Sequence, residues 1–190
     1  MGNIERRNIR IEDWEGNIYY PETQSGSSLA GRIIDSEDAT TDLTSSSVTI
    51  TEGTVTTDAT ANNAIAIMIV SPATDKLLFQ TAVSGIPFGK VAVDIRIKSN
   101  VVSSANLFKV ECYYYDTIEE SEGTLLETKT FKGTDISTAN TYKNINFITD
   151  FYGNYKSSVT FKIKVIAIGG NAATLYFDQI AIAKAMPTIS

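Results

Sequence analysis

In the stretch VAVDIRIKS, Val91, Val93, Ile95 and Ile97 alternate with Ala92, Asp94, Arg96 and Lys98. Successive side chains of an extended chain point to opposite faces, so this spacing makes a strand with one apolar and one polar face. The same period returns in FKVECYYY, where Phe108, Val110, Cys112 and Tyr114 oppose Lys109, Glu111, Tyr113 and Tyr115. It returns again in VTFKIKVIAI, where Val159, Phe161, Ile163, Val165 and Ala167 oppose Lys162 and Lys164. Strict alternation of this kind is the signature of half-buried strands.

Further short apolar runs are SVTIT (47–51), AIAIMIVS (64–71), KLLFQTA (76–82), TLLETKTFK (124–132), YKNINFIT (142–149) and ATLYFDQIAIAK (173–184). Turn-forming pieces such as SPATD, SGIPFG, SNVVSSAN, YGNYKSS and GGNA separate them. No window repeats an apolar residue at i, i+3, i+4 and i+7 over three turns, so helices should be few and short. Short, one-faced strands at this density predict an all-β fold, an antiparallel sandwich over residues 46–190.

Residues 1–45 read differently. ETQSGSSLAG and DSEDATTDLTSSS hold only isolated apolar side chains and cannot bury enough surface to offset the entropy of ordering them alone. This segment is expected to be an extended N-terminal arm, held by the sandwich or by another chain. Within it the stretch IEDWEGNIYYPET gathers the sole Trp of the sequence, two Tyr and a Pro. Large aromatic groups dominate interface hot spots. Trp14, Ile18, Tyr19 and Tyr20, with Pro21 fixing an extended exit, are therefore the expected docking residues, the alternative being that they cover an edge of their own sandwich.

Several functions are disfavoured by composition. The 190-residue chain carries a net charge of −6 with Lys and Arg dispersed, which repels nucleic acid. No run approaches the length of a membrane span, and the opening residues lack the continuous apolar stretch of a signal peptide. The chain has no His and a single Cys, Cys112, which removes Ser-His and Cys-His nucleophile pairs, His-ligated zinc and any internal disulfide. An enzyme built from it would depend on carboxylates, Lys or Tyr. Asp116 and Glu119 are near enough in sequence to suggest glycosidase chemistry, but they stand in an acidic loop without an apolar pocket, so no enzymatic role is expected.

The pieces PFGKVAVDIRIKSN, LFKVECYYYD, TYKNINFITDFYG and GGNAATLYFDQIAIAKA, taken in order, resemble a jelly-roll sandwich of the carbohydrate-binding-module type over residues 46–186. The acidic residue, Gly-Asn turn and IYYPET of residues 9–25 resemble the segments that open fibre, spike and decoration proteins of tailed bacteriophages. Together these resemblances imply a non-enzymatic virion structural protein: a capsid decoration, head fibre or tail appendage. Its arm would dock on another virion protein and its jelly roll would face outward. They imply assembly in the host cytoplasm and make a homotrimer a fitting state for a fibre-like role.

The alternative is a free-standing carbohydrate-binding module. Its glycan would lie on a Tyr-bearing sheet face formed by Tyr113, Tyr115, Glu111 and Arg96, with Lys109, Asp94, Lys162 and Lys164 as neighbours on the same sheet. Cross-strand pairing on a solvated sheet is the plainer account of those residues. Related modules hold a structural calcium, for which Glu52 and Asp178 are the oxygen donors to consider; otherwise no cofactor is expected. Cys112, in the inward phase of its strand, is expected in the core.

Overall fold

The alternation of the sequence becomes burial in the structure. In a computed structural model of the chain, Val91, Val93, Ile95 and Ile97 are fully buried, and so are Phe108, Val110, Cys112, Phe161, Ile163, Val165 and Ala167. The structure describes residues 11–12, 18–19, 32–35, 48–61, 64–84, 86, 88–118, 123–153 and 158–185.

In chain order the strands are β1 (Ile11–Glu12), β2 (Ile18–Tyr19), β3 (Arg32–Asp35), β4 (Val48–Ile50), β5 (Thr54–Thr57), β6 (Ile65–Val70) and β7 (Lys76–Ser84). They continue as β8 (Gly89–Ser99), β9 (Asn106–Asp116), β10 (Thr124–Lys132), β11 (Lys143–Phe151), β12 (Val159–Ala167) and β13 (Thr174–Lys184). One helical turn, Gly133–Ile136, follows β10. All pairings are antiparallel.

Two sheets make the sandwich, one ordered β10-β9-β12-β7-β4 and the other β11-β8-β13-β6-β5. Strands β6 to β13 are dealt to the two sheets so that each connection crosses between them, save the β9–β10 hairpin. The inner orders β10-β9-β12-β7 and β11-β8-β13-β6 are those of a jelly roll. Its last strand, β13, lies inside its sheet. It pairs with β8 along one side; along the other, β6 takes Thr174 to Phe177 and β3 takes Ala181 to Ala183. Segment 32–35, which the sequence assigns to the arm, thus adds backbone pairing to the six-stranded sheet.

Aromatic rings close the space between sheets. Phe177 of β13 meets Phe79 of β7 edge-on at 5.8 Å and Phe108 of β9 at 5.4 Å, and Phe151 of β11 meets Phe161 of β12 at 5.3 Å. Edge-to-face pairs add roughly 0.5–1.5 kcal/mol each beyond the apolar area they bury. Cys112 is fully buried in this core, as its phase requires. Among the described residues no helix is long and apolar enough to cross a membrane.

Candidate functional sites on the two outer faces

A sandwich has two outer faces, and each here carries a distinct set of polar and aromatic side chains. The first belongs to β9 and β12. Register sets Thr160 opposite Tyr115, Lys162 opposite Tyr113, Lys164 opposite Glu111 and Ile166 opposite Lys109. All hold the outward phase, because the residues between them fill the core. The lysines lean diagonally: the Lys162 ammonium lies 4.8 Å from the Tyr115 ring centroid and the Lys164 ammonium 4.9 Å from that of Tyr113. The Tyr113 hydroxyl donates to Glu111 at 2.6 Å, and Lys109 bridges Glu111 at 3.3 Å and Asp75 at 3.5 Å.

Thr160, beside Tyr115, is 8% exposed although its phase is outward. Its hydroxyl is buried and has no hydrogen-bond partner. A buried hydroxyl left this way typically costs about 1–3 kcal/mol.

The second face belongs to β8 and β13. Here Arg96 pairs with Asp178, a fully buried carboxylate at the bulge that shifts register between Phe177 and Gln179. Lys98 pairs with Asp58, which lies in the turn after β5, and both side chains are largely buried, at 11% and 9% exposure. Asp58 also accepts from the Tyr142 hydroxyl at 3.0 Å and from the amide and hydroxyl of Thr60 at 3.0 and 2.7 Å. Arg96 lies 4.6 Å from the Tyr142 ring centroid; the Lys98 ammonium lies 4.8 Å from that centroid and 4.5 Å from that of Tyr176.

Burial opposes ionisation of Asp58, but the Lys98, Thr60 and Tyr142 hydrogen bonds outweigh it and hold the carboxyl well below the usual range. Burial, and next the bond and charge of Asp58, push the Tyr142 phenol well above its ordinary value. In this cluster Lys98 has Asp58 and Arg96 has Asp178, and both cations are capped by tyrosine rings. It is chemically closed.

Of the residues expected to form one glycan surface, Tyr113, Tyr115 and Glu111 come together and Arg96 does not. Because β8 and β9 go to different sheets, Arg96 and Asp94 face outward on the opposite side of the molecule. Lys162 and Lys164 do join the tyrosines. The two proposed calcium donors have separate cationic partners, Glu52 pairing with Lys76 at 2.7 Å and Asp178 with Arg96. Among the described residues no three of His, Cys, Asp and Glu gather where a metal ion could be held.

Asp116 is buried and accepts from the Ser158 hydroxyl at 2.8 Å and the Ile118 amide at 3.0 Å; Glu119 lies outside the described residues. So do Trp14, Tyr20 and Pro21. Ile18 and Tyr19 form β2, paired with β1 as Glu12↔Ile18 and Ile11↔Tyr19. Sequence reasoning missed the Asp58, Lys98, Tyr142 and Tyr176 cluster. Lys98 and Tyr176 hold outward phases that could have suggested it, but no periodicity marks the turn that delivers Asp58.

No protein-family model matches the chain, and no curated protein does. Among solved structures it is similar to a family 35 carbohydrate binding module from Clostridium thermocellum, with 14% identity over 79% of this chain and 96% of that one and a TM-score of 0.48. It is similar to the CBM22-1 xylan-binding domain of Paenibacillus barcinonensis Xyn10C, with 13% identity over 85% of this chain and all of that one and a TM-score of 0.47. It also matches an arabinose-bound α-L-arabinofuranosidase, of which it spans 23%, at a TM-score of 0.47. Likeness at these values says nothing about what this chain binds, and the fold assignment rests on its own strand order.

Proposed function

We propose that the protein is a non-catalytic glycan-binding β-sandwich, with residues 46–190 as the binding unit and the outer face of β9 and β12 as its site. The observation that carries this reading is the presentation of two phenol rings, Tyr113 and Tyr115, on one face of one strand. Residues two apart on a strand are about 6.6–6.8 Å apart, so the rings stand at a repeat on the scale of one sugar residue. A lysine ammonium lies over one face of each ring, and the axial C–H groups of a pyranose are assigned to the other. Polar groups around them suit its hydroxyls: the Glu111 carboxylate and the lysine ammonium groups.

The docking-arm reading of residues 1–45 gains no support from the described residues, and no virion role is carried forward.

The test is a screen of the full chain against immobilised plant, bacterial and animal glycans, followed by titration of any retained ligand. Tyr113→Ala and Tyr115→Ala should each remove about 1–2 kcal/mol of binding, roughly five- to thirty-fold in Kd, with the thermal transition little changed. A screen that retains no glycan overturns the reading.

A further inference from the structure

The sheets of this sandwich end in edges of unequal character. A strand at the end of a sheet presents unpaired backbone N–H and C=O groups, and proteins blunt such edges by keeping them short, bulging them or turning charges inward. Here β3, β4 and β5 have only four, three and four residues. Edge strand β10 is longer, but its register slips twice, at Leu125/Glu127 and at Phe131/Lys132. It also turns the Glu127–Lys129 ion pair to the inner side, opposite the buried Cys112 and Val110.

Strand β11, at the end of the six-stranded sheet, carries none of these devices. Its nine residues keep unbroken register with β8, from Lys143↔Ile97 to Phe151↔Gly89. Between Lys143 and Asp150 the run NINFIT holds neither charge nor Pro. The outward side chains Asn144, Asn146, Ile148 and Asp150 are all exposed, Ile148 at 54% although it is apolar. We infer that β11 is an association edge, on which a second copy of this chain lays its own β11, antiparallel and about a two-fold axis.

The occupant is a second copy because the strand is its own complement. Directly opposed residues of antiparallel strands point to the same side, so a two-fold axis passes through one residue and its copy. Centred on Ile148, it sets that side chain against itself, Asn146 against Asp150 of the other copy, and Asn144 toward Tyr152, which is exposed just past the end of the strand. Both exposed apolar side chains are then covered, a carboxamide meets a carboxylate twice, and no like charges face each other. Such a pair fuses the two six-stranded sheets and points both β9 and β12 faces to the same side. A glycan polymer held by that face would then be gripped at two points, but the association itself does not depend on the glycan reading.

The experiment is sedimentation equilibrium of the full chain. A contact smaller than the roughly 1,600 Å² of a standard interface associates weakly, so loading should run from about 5 to 500 μM. Over that range the mass should rise from 20.7 kDa toward twice that value and no further. Ile148→Lys, which opposes two ammonium groups at an exposed position, should raise the dimer Kd at least about tenfold with the thermal transition unchanged. Leu125→Lys, the same change at an exposed position of β10, should leave Kd as it was. Hydrogen exchange in peptides spanning 143–151 should slow at the higher concentrations. A chain that stays monomeric throughout, an assembly that grows past two copies, or a dimer that Ile148→Lys leaves intact overturns the inference. None of these outcomes touches glycan binding, which the glycan screen decides separately.

Discussion

Asp58 shows how one side chain can fasten a turn to a sheet. Its carboxylate takes the Lys98 ammonium, the Tyr142 hydroxyl and two groups of Thr60, joining the turn after β5 to β8 and the start of β11. Breaking a largely buried ion pair costs about 3–5 kcal/mol. Asp58→Asn should therefore lower the melting temperature by roughly 6–20 °C at pH 7, given about 2–4 °C per kcal/mol in a chain of this size. The sign with pH follows from the depressed carboxyl. The unfolded chain titrates near the ordinary value of about 4 and the folded one well below it, so the contribution is complete above pH ~4 and fades as pH falls further. Melts of wild type and variant at descending pH should converge; a gap constant down to pH ~2.5 would contradict the assignment. Cys112 makes a second prediction at this scale. Burial, with the Glu127 charge next to it, pushes its thiol up to about 12, so iodoacetamide should label it only after denaturant unfolds the chain.

Elements with a strong two-residue period were legible in the sequence almost to their ends. β10 spans Thr124–Lys132 as expected, and β8, β9, β12 and β13 differ from expectation by a few residues at their ends. What escaped was weaker in pattern. β5, TVTT, has one apolar residue, and Val55 is 48% exposed, so no buried face announces the strand. Tyr113, Tyr115 and Glu111 were legible as one surface because they share a strand. Arg96 was misjudged because phase tells inward from outward but not which of two sheets a strand joins. Asp178 had no periodic signal either, since it sits at a bulge that breaks the period.

Close backbone approach is likewise invisible in sequence. A Cβ on Gly169, just after β12, would fall 2.4 Å from the Cα and carbonyl carbon of Thr74 in the β6–β7 connection. Gly169→Ala should cost about 1–3 kcal/mol as the two segments part, read as a lower urea midpoint with an unchanged m-value.

At the scale of the molecule, stability is spread over pairings between strands remote in sequence. Such a topology folds slowly, typically in milliseconds to seconds, and stopped-flow refolding should fall in that range. The arrangement also leaves two outer faces on opposite sides of the core. Tyr113→Ala on one and Asp58→Asn on the other should therefore be additive in stability within about 0.5 kcal/mol; a larger coupling in a double-mutant cycle would mean that the core transmits between them. The position of β13 reaches into how a cell makes this protein. The strand that β8, β6 and β3 all need is translated after each of them, so a ribosome must pass Lys184 before the six-stranded sheet can close. Until then the nascent chain carries unpaired edges and an open apolar face, the form that chaperones recognise.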